Sequence, residues 1–131
     1  MTTDAALTPG LIAAVALGGA LGALVRYLVT VALAGRETPP GPVVIVNVVG
    51  SLLSGLALGA LTDPTLLVVA VSGFCGGLTT FSTLSVESVQ LVMDGRWRRA
   101  AGGMLVNVVA GVAAVAIGIA LGGTLVETFG R

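Results

Sequence analysis

Several residue types are rare or missing in this sequence of 131 residues. It has no histidine, no lysine, a single cysteine, Cys75, and only 9% charged residues. A zinc site or a histidine proton relay therefore lacks its usual side chains, and no internal disulfide can form. So few charges cannot cover the surface of a soluble domain, and the formal net charge of zero gives no basis for nucleic-acid binding. We also predict that the chain is not an enzyme, because no nucleophile and base pair stands out.

Hydrophobic residues make up 56% of the chain, and the mean hydropathy is +1.09. They form four runs, each of which reaches the ~20 residues that a helix needs to cross a bilayer. The first run is expected to be a retained span, because Asp4 precedes it without any basic residue, unlike a secretion signal. We predict an all-α membrane protein with one domain, residues 1–131, and transmembrane helices at about 11–34, 43–61, 65–92 and 97–124.

The third run contains an unusual stretch, Gly73-Phe-Cys-Gly-Gly-Leu-Thr-Thr-Phe-Ser-Thr-Leu84, in which three glycines precede a run of hydroxyl side chains. Glycine costs ~1 kcal/mol relative to alanine in a helix, and serine and threonine compete for backbone hydrogen bonds. We predict that the third helix is broken at mid-membrane. Because lipid cannot satisfy the freed backbone groups, the break would line a cavity, contact another chain or bind an ion. The alternative is a glycine-rich packing face with hydroxyls bonded to their own helix.

Arg26 is the charged residue of the first run. It follows Gly18 and Gly22 at intervals of four, so that one helix face combines small residues with a cation. An arginine at membrane depth usually faces the interior of a bundle or an aqueous cavity, although this one could also extend to the interface. Either position favours an anion as the permeant ion.

Polar residues also occur in the other runs. Asn47 of the second run offers two N–H donors that suit an anion, or it joins two helices. Asn107 lies among small residues of the fourth run, including Gly103 and Gly118, which predict a close helix contact. Glu87 is the acidic residue inside the third run, and we expect it either in a vestibule or exposed at the interface.

The arginines bear on orientation. With four spans, the first and third loops share one side of the membrane, which favours that side as the inside and both termini as outside. The bias is moderate, so insertion in both directions stays open. The residues concerned are Arg36, Arg96, Arg98 and Arg99 on one side and Arg131 on the other.

These segments together resemble the CrcB/Fluc family of small bacterial fluoride channels. The resemblance implies a fluoride-selective channel that exports fluoride passively across the inner membrane. It also implies an antiparallel, dual-topology homodimer in the lipid, or a pair of homologous subunits, with a structural sodium ion at the dimer centre. The segments that carry it are 18–27, 47–51, 73–83 with Glu87, and 107–111.

The resemblance assigns roles to individual residues. The sodium ligands would be the backbone carbonyls of Gly76 and Thr79, and Phe81 would present the positive edge of its ring to fluoride. Two departures from the family pattern are Leu84, where a second aromatic is common, and Gly103, where many members have a tyrosine. The predicted ion pathway comprises an amide donor, hydroxyls, a vestibule or structural cation and neighbouring polar residues: Asn47, Phe81, Ser82, Thr83, Asn107, Arg26 and Glu87.

Two other hypotheses belong to different classes. A proton-coupled drug exporter similar to the small multidrug resistance proteins would need a carboxylate in its first span, where this chain has Arg26. A non-conducting assembly subunit would use the glycine faces only for contact.

Overall fold

The computed structural model describes residues 8–35 and 41–129, so that Asp4, Arg36 and Arg131 lie outside the described part. Four long apolar helices cross the molecule as predicted, and no strand occurs in these two ranges. The crossings are α1 (Pro9–Ala32), α2 (Pro42–Ala60), a third crossing (Pro64–Met93) and the long helix Trp97–Phe129.

The third crossing is divided into two helices. The first, α3 (residues 64–78), begins as an α-helix at Pro64–Val68, winds as a π-helix over Val69–Cys75 and ends in one α turn at Gly76–Leu78. The second, α4, spans Ser82–Met93, and the final long helix is therefore α5. Thr79 between them is extended, with φ −81° and ψ 158°. The predicted break is confirmed, whereas the π-helix was not predicted.

Proline and a capping side chain begin two of the helices. The hydroxyl of Thr8 accepts a hydrogen bond from the N–H of Leu11 at 3.2 Å at the start of α1. Asp63 Oδ1 accepts one from the N–H of Leu66 at 2.8 Å at the start of α3, as the Asp-Pro sequence predicts. In both cases proline occupies the first turn, where its missing N–H costs nothing.

Glycines bring the helices into two close pairs, α1 with α3 and α2 with α5. A methyl group added at Gly22 would overlap the carbonyl oxygen of Phe74, and one added at Gly118 would overlap the backbone of α2 near Leu52. The predicted close contacts at these two glycines are confirmed. The prediction is wrong at Gly103, which lies one turn before Asn107. A methyl group added there meets no atom within 4 Å.

The buried core of the chain is small, and part of it lies beside the break. Val46 and Leu78 are buried there, whereas leucines such as Leu17 and Leu21 of α1 lie exposed on the outer surface. Apolar side chains on the outside suit a protein surrounded by lipid, where no hydrophobic force drives them inward. The fold thus places its few polar contacts at the interruption of the third crossing.

Candidate ion pathway

The side chain of Asn47 forms hydrogen bonds with the backbone of the break. Its Nδ2 donates to the carbonyl oxygen of Thr80 at 3.0 Å, and its Oδ1 accepts from the N–H of the same residue at 2.7 Å. Both residues are buried, with 8% of each exposed. An unpaired backbone group in an apolar environment costs about 1–3 kcal/mol. Asn47 of α2 therefore satisfies both backbone groups of a residue that lies outside any helix.

Asn47 also joins the break to the fourth crossing. The Nδ2 that bonds Thr80 is 3.1 Å from Oδ1 of Asn107 on α5, to which it donates its second hydrogen. The helix contact that the sequence predicts at Asn107 is thereby confirmed. Three segments distant in sequence, α2, the break and α5, meet at this one amide group.

Arg26 of α1 supplies the corresponding contact one residue earlier in the break. Its Nη1 donates a hydrogen bond of 3.0 Å to the carbonyl oxygen of Thr79. Arg26 is half-buried, and it is the one arginine in the described ranges whose side chain donates a hydrogen bond to the protein. Of the two positions considered for this cation, the contact favours the interior of the bundle over the interface.

Three hydroxyl groups cluster where α4 begins. Thr80 Oγ1 lies 3.3 Å from Ser82 Oγ and 3.0 Å from Thr83 Oγ1, and it accepts a hydrogen bond from the N–H of Thr83 at 3.3 Å. The hydroxyl of Thr80 thus binds a backbone N–H in the first turn of α4, while Ser82 and Thr83 remain exposed. The sequence also allowed hydroxyl groups that donate to carbonyls of their own helix. In this part of the third crossing three residues do so, each to the carbonyl four positions earlier: Thr79, Ser85 and Ser88.

An open groove of about 250 Å³ runs over the break. The ring of Phe81 lies beside it with 79% of the residue exposed. A second groove, of about 520 Å³, shares Ser51 and Asn107 with the first and continues along α5 between apolar side chains. The residues that line the first groove are Asn47, Ser51, Thr79, Thr80, Phe81 and Asn107.

The structure therefore brings together part of the predicted set. Asn47, Phe81 and Asn107 share the groove, and Ser82 and Thr83 adjoin it through Thr80. Arg26 touches the break without lining the groove, and Glu87 is exposed farther along α4. Thr80 was not predicted as a site residue, because nothing in the run of hydroxyls distinguishes it from its neighbours.

The carbonyl oxygens of the break bear on the predicted sodium site. In a continuous α-helix the carbonyl of Gly76 would accept from the N–H of Thr80, but that N–H donates to Asn47. Gly76 is also exposed, and the carbonyl of Thr79 keeps a second lone pair beside its bond to Arg26. Oxygen ligands suit a hard cation. The backbone of the break thus fits sodium, and no group of three acidic, histidine or cysteine side chains that could hold a metal occurs among the residues described.

Comparison with known proteins identifies the family. The family described as "CrcB-like protein, Camphor Resistance (CrcB)" matches residues 13–119, which include Asn47, the break and Asn107. The chain belongs to the CrcB family. The resemblance inferred from the sequence motifs is thereby confirmed, and with its four apolar helices this CrcB-family chain is a multi-pass membrane protein.

Three relatives illustrate how far the similarity extends. "Fluoride-specific ion channel FluC 1" of Nocardia farcinica is 46% identical over 112 residues, which cover 84% of this chain and 79% of the relative. "Fluoride-specific ion channel FluC 2" of Natronomonas pharaonis is 45% identical over 112 residues, covering 86% and 94%. "Fluoride-specific ion channel FluC 2" of Rhodococcus jostii is 47% identical over 106 residues, covering 81% and 87%. These relatives are ion channels and not enzymes, in agreement with the prediction for this chain.

Proposed function

We propose that this chain is a fluoride-selective channel that lets fluoride leave the cell passively across the inner, or plasma, membrane. The observation that carries the proposal is the groove at the break, where amide groups, hydroxyls and the ring of Phe81 meet at one depth. Three relatives of similar length named as fluoride-specific ion channels support the choice of ion.

The chemistry of the groove suits a small anion. Fluoride is strongly hydrated, so a narrow path must replace its water with N–H and O–H donors and positive ring edges. Helix α4 begins at the break, so the positive end of its dipole lies there. The guanidinium of Arg26 lies beside the break as well. None of the residues that line the groove, all within the described part, is acidic. We therefore assign the pathway to the groove, with Phe81, Ser82 and Thr83 along it and Arg26 as a fixed nearby cation.

We further propose that the working unit is an antiparallel, dual-topology dimer of identical copies, or of this chain with a homologous subunit. Gly76 is exposed, and its carbonyl has lost the N–H of Thr80 as a helical partner. Lipid cannot satisfy such a carbonyl, so it needs a partner of another kind. A two-fold axis at this point would turn the carbonyls of Gly76 and Thr79 into four oxygen ligands, which would hold a structural sodium ion. Phe81, so exposed in one copy, would then be covered by the second.

Reconstitution in liposomes tests the proposed function. Vesicles loaded with potassium fluoride are diluted into a fluoride-free buffer with valinomycin, and a fluoride electrode follows the efflux. We expect efflux well above that of empty vesicles, with little chloride efflux from vesicles loaded with potassium chloride. Fluoride efflux equal to that of empty vesicles would overturn the proposal and would instead support a non-conducting assembly subunit. Equal passage of chloride would overturn the proposed selectivity for fluoride.

A further inference from the structure

The turn that joins the third crossing to α5, residues 93–99, is strongly basic, and we call it the basic turn. Arg96, Arg98 and Arg99 lie within it, and all three are exposed. In contrast to Arg26, none of them donates a side-chain hydrogen bond to the protein within the described ranges. Asp94 is the one acidic residue of the turn, and the first turn of α5 contains no acid. The basic turn therefore keeps an excess of positive charge.

The opposite end of the molecule has the reverse charge. Helices α2 and α5 run in the same direction, because successive glycine contacts advance together along both of them. The end of α5 thus lies beside the end of α2, far from the basic turn. The described residues at that end include Asp63 and Glu127 and no basic side chain. Charge is segregated along the length of the bundle, and its basic end is the one that attracts anions.

The basic turn lies at the depth of the lipid phosphates. The break divides the third crossing nearly in half, and α4 then continues for 12 residues, which rise about 18 Å. Along α5, Trp97 is about 15 Å from Asn107, which lines the groove at the break. Half of a bilayer's hydrocarbon core is also about 15 Å. With the break at the centre of the bilayer, both helices bring the turn to the boundary between acyl chains and headgroups.

Trp97 agrees with this depth and lies beside one of the arginines. Tryptophan is enriched at the boundary between acyl chains and headgroups, and Trp97 is 60% exposed. Met93, the last residue of α4, is 81% exposed. The guanidinium carbon of Arg98 is 5.5 Å from the centre of the Trp97 ring, within the range of a cation–π contact. The turn thus combines exposed apolar side chains with guanidinium groups at one level.

We propose that the basic turn binds the headgroup of an anionic phospholipid. The guanidinium groups would bind its phosphate, for which arginine has several N–H donors, while Trp97 and Met93 would contact the first part of the acyl chains. A zwitterionic headgroup has the same phosphate, but its ammonium group cancels the charge, so a lipid of net negative charge binds better. Soluble phosphate lacks the acyl chains. The proposal does not depend on which ion the protein conducts.

The single tryptophan of the chain provides a direct test. The purified protein is reconstituted in vesicles of equal amounts of phosphatidylglycerol and phosphatidylcholine, with bromine on the acyl chains of one lipid or of the other. Bromine quenches the fluorescence of a nearby indole. We expect brominated phosphatidylglycerol to quench Trp97 at least twofold more than brominated phosphatidylcholine. The preference should shrink in about 0.5 M sodium chloride, because salt screens the charges.

Two triple variants form the matched pair. Arg96→Gln, Arg98→Gln and Arg99→Gln combined remove the charge, and we expect the preference for phosphatidylglycerol to disappear. The same three positions changed to lysine keep the charge and should keep at least half of the preference. Equal quenching by the two lipids in the wild type, or an unchanged preference in the glutamine variant, would overturn the proposal. So would loss of the preference in millimolar inorganic phosphate, because the turn would then bind a soluble anion.

Discussion

Arg26 and Asn47 supply hydrogen bonds that an uninterrupted helix would make for itself. Arg26 bonds the carbonyl of Thr79 and Asn47 bonds both backbone groups of Thr80, so that two successive residues of the break are held by side chains. Hydrogen bonds that involve a charged group contribute about 1.5–3 kcal/mol, more than neutral ones. The arginine contact is therefore a candidate for a measurable share of the stability of the fold.

We predict that Arg26→Gln lowers the free energy of unfolding by about 1.5–3 kcal/mol, because it removes the charged donor to Thr79. Unfolding in detergent by denaturant, followed by circular dichroism, measures the change. Arg99→Gln is the matched control, since Arg99 is exposed where α5 begins and should change stability by less than about 0.5 kcal/mol. Equal effects of the two variants would show that the Thr79 contact contributes nothing.

Phe81 and Leu84 form a second informative pair. Phe81 is 79% exposed, whereas Leu84, which stands where the family pattern often has a second aromatic, is only 7% exposed. We predict that Phe81→Ala lowers fluoride efflux and lowers the free energy of unfolding by less than Leu84→Ala does, because few contacts within the chain are lost. Leu84→Ala should lower the free energy of unfolding by about 2–5 kcal/mol through loss of buried contact. A Phe81→Ala protein with wild-type efflux would remove the ring from the pathway.

At the scale of whole helices, close backbone contact between α2 and α5 replaces the interlocking of large side chains. The glycines of this contact occur on both helices, at Gly55 and Gly59 of α2 and at Gly118 and Gly122 of α5. A methyl group at any of them would overlap backbone atoms of the facing helix. Such a contact tolerates no enlargement, because backbone atoms cannot move aside as the ends of side chains can.

We predict opposite effects for two glycine substitutions on the same helix. Gly118→Ala should lower the free energy of unfolding by about 1–3 kcal/mol because of overlap with α2. Gly103→Ala should raise it by up to about 1 kcal/mol, because its methyl group enters open space and alanine favours the helix. Denaturant unfolding of both variants in the same detergent provides the comparison. If Gly118→Ala were as stable as Gly103→Ala, the close contact would not exist in the protein.

The elements of the fold were more predictable than their contacts. Hydropathy predicts the four transmembrane helices, and the run of glycines and hydroxyl residues predicts the break. Both predictions succeed because each depends on residues that are close together in the sequence. The partners of the break could not be predicted, since Asn47 lies 33 positions and Arg26 53 positions away from the residues they contact. The π-helix at Val69–Cys75 was not predicted either, and it lies where α3 packs against α1.

At the scale of the whole molecule, one copy of the chain leaves polar backbone exposed at membrane depth. The carbonyl of Gly76 is not paired within its helix, and Phe81 projects from the break with 79% of the residue exposed. Lipid would satisfy no such carbonyl. The proposed dimer and its sodium ion would resolve both features together. Stability should then depend on the monovalent cation in solution.

We predict that replacing sodium with N-methyl-D-glucamine lowers the melting temperature of the purified protein and weakens its dimer. A large organic cation cannot enter a site built from four carbonyl oxygens, so the oxygens would face each other without a charge between them. Thermal unfolding and crosslinking in the two salts, at equal ionic strength and fluoride concentration, measure the effect. Identical unfolding curves in both salts would contradict the sodium site but would leave the proposed fluoride pathway unaffected.

The positions of Arg26 and Asn47 also matter while the chain is being made. Synthesis proceeds from the amino terminus, so α1 and α2 leave the ribosome before the glycine-rich segment of the third crossing follows. When this segment enters the bilayer, a guanidinium and an amide are thus already available for the backbone of Thr79 and Thr80. A circular permutation that moved the third crossing ahead of α1 would expose the interrupted backbone to lipid before either partner had been synthesised.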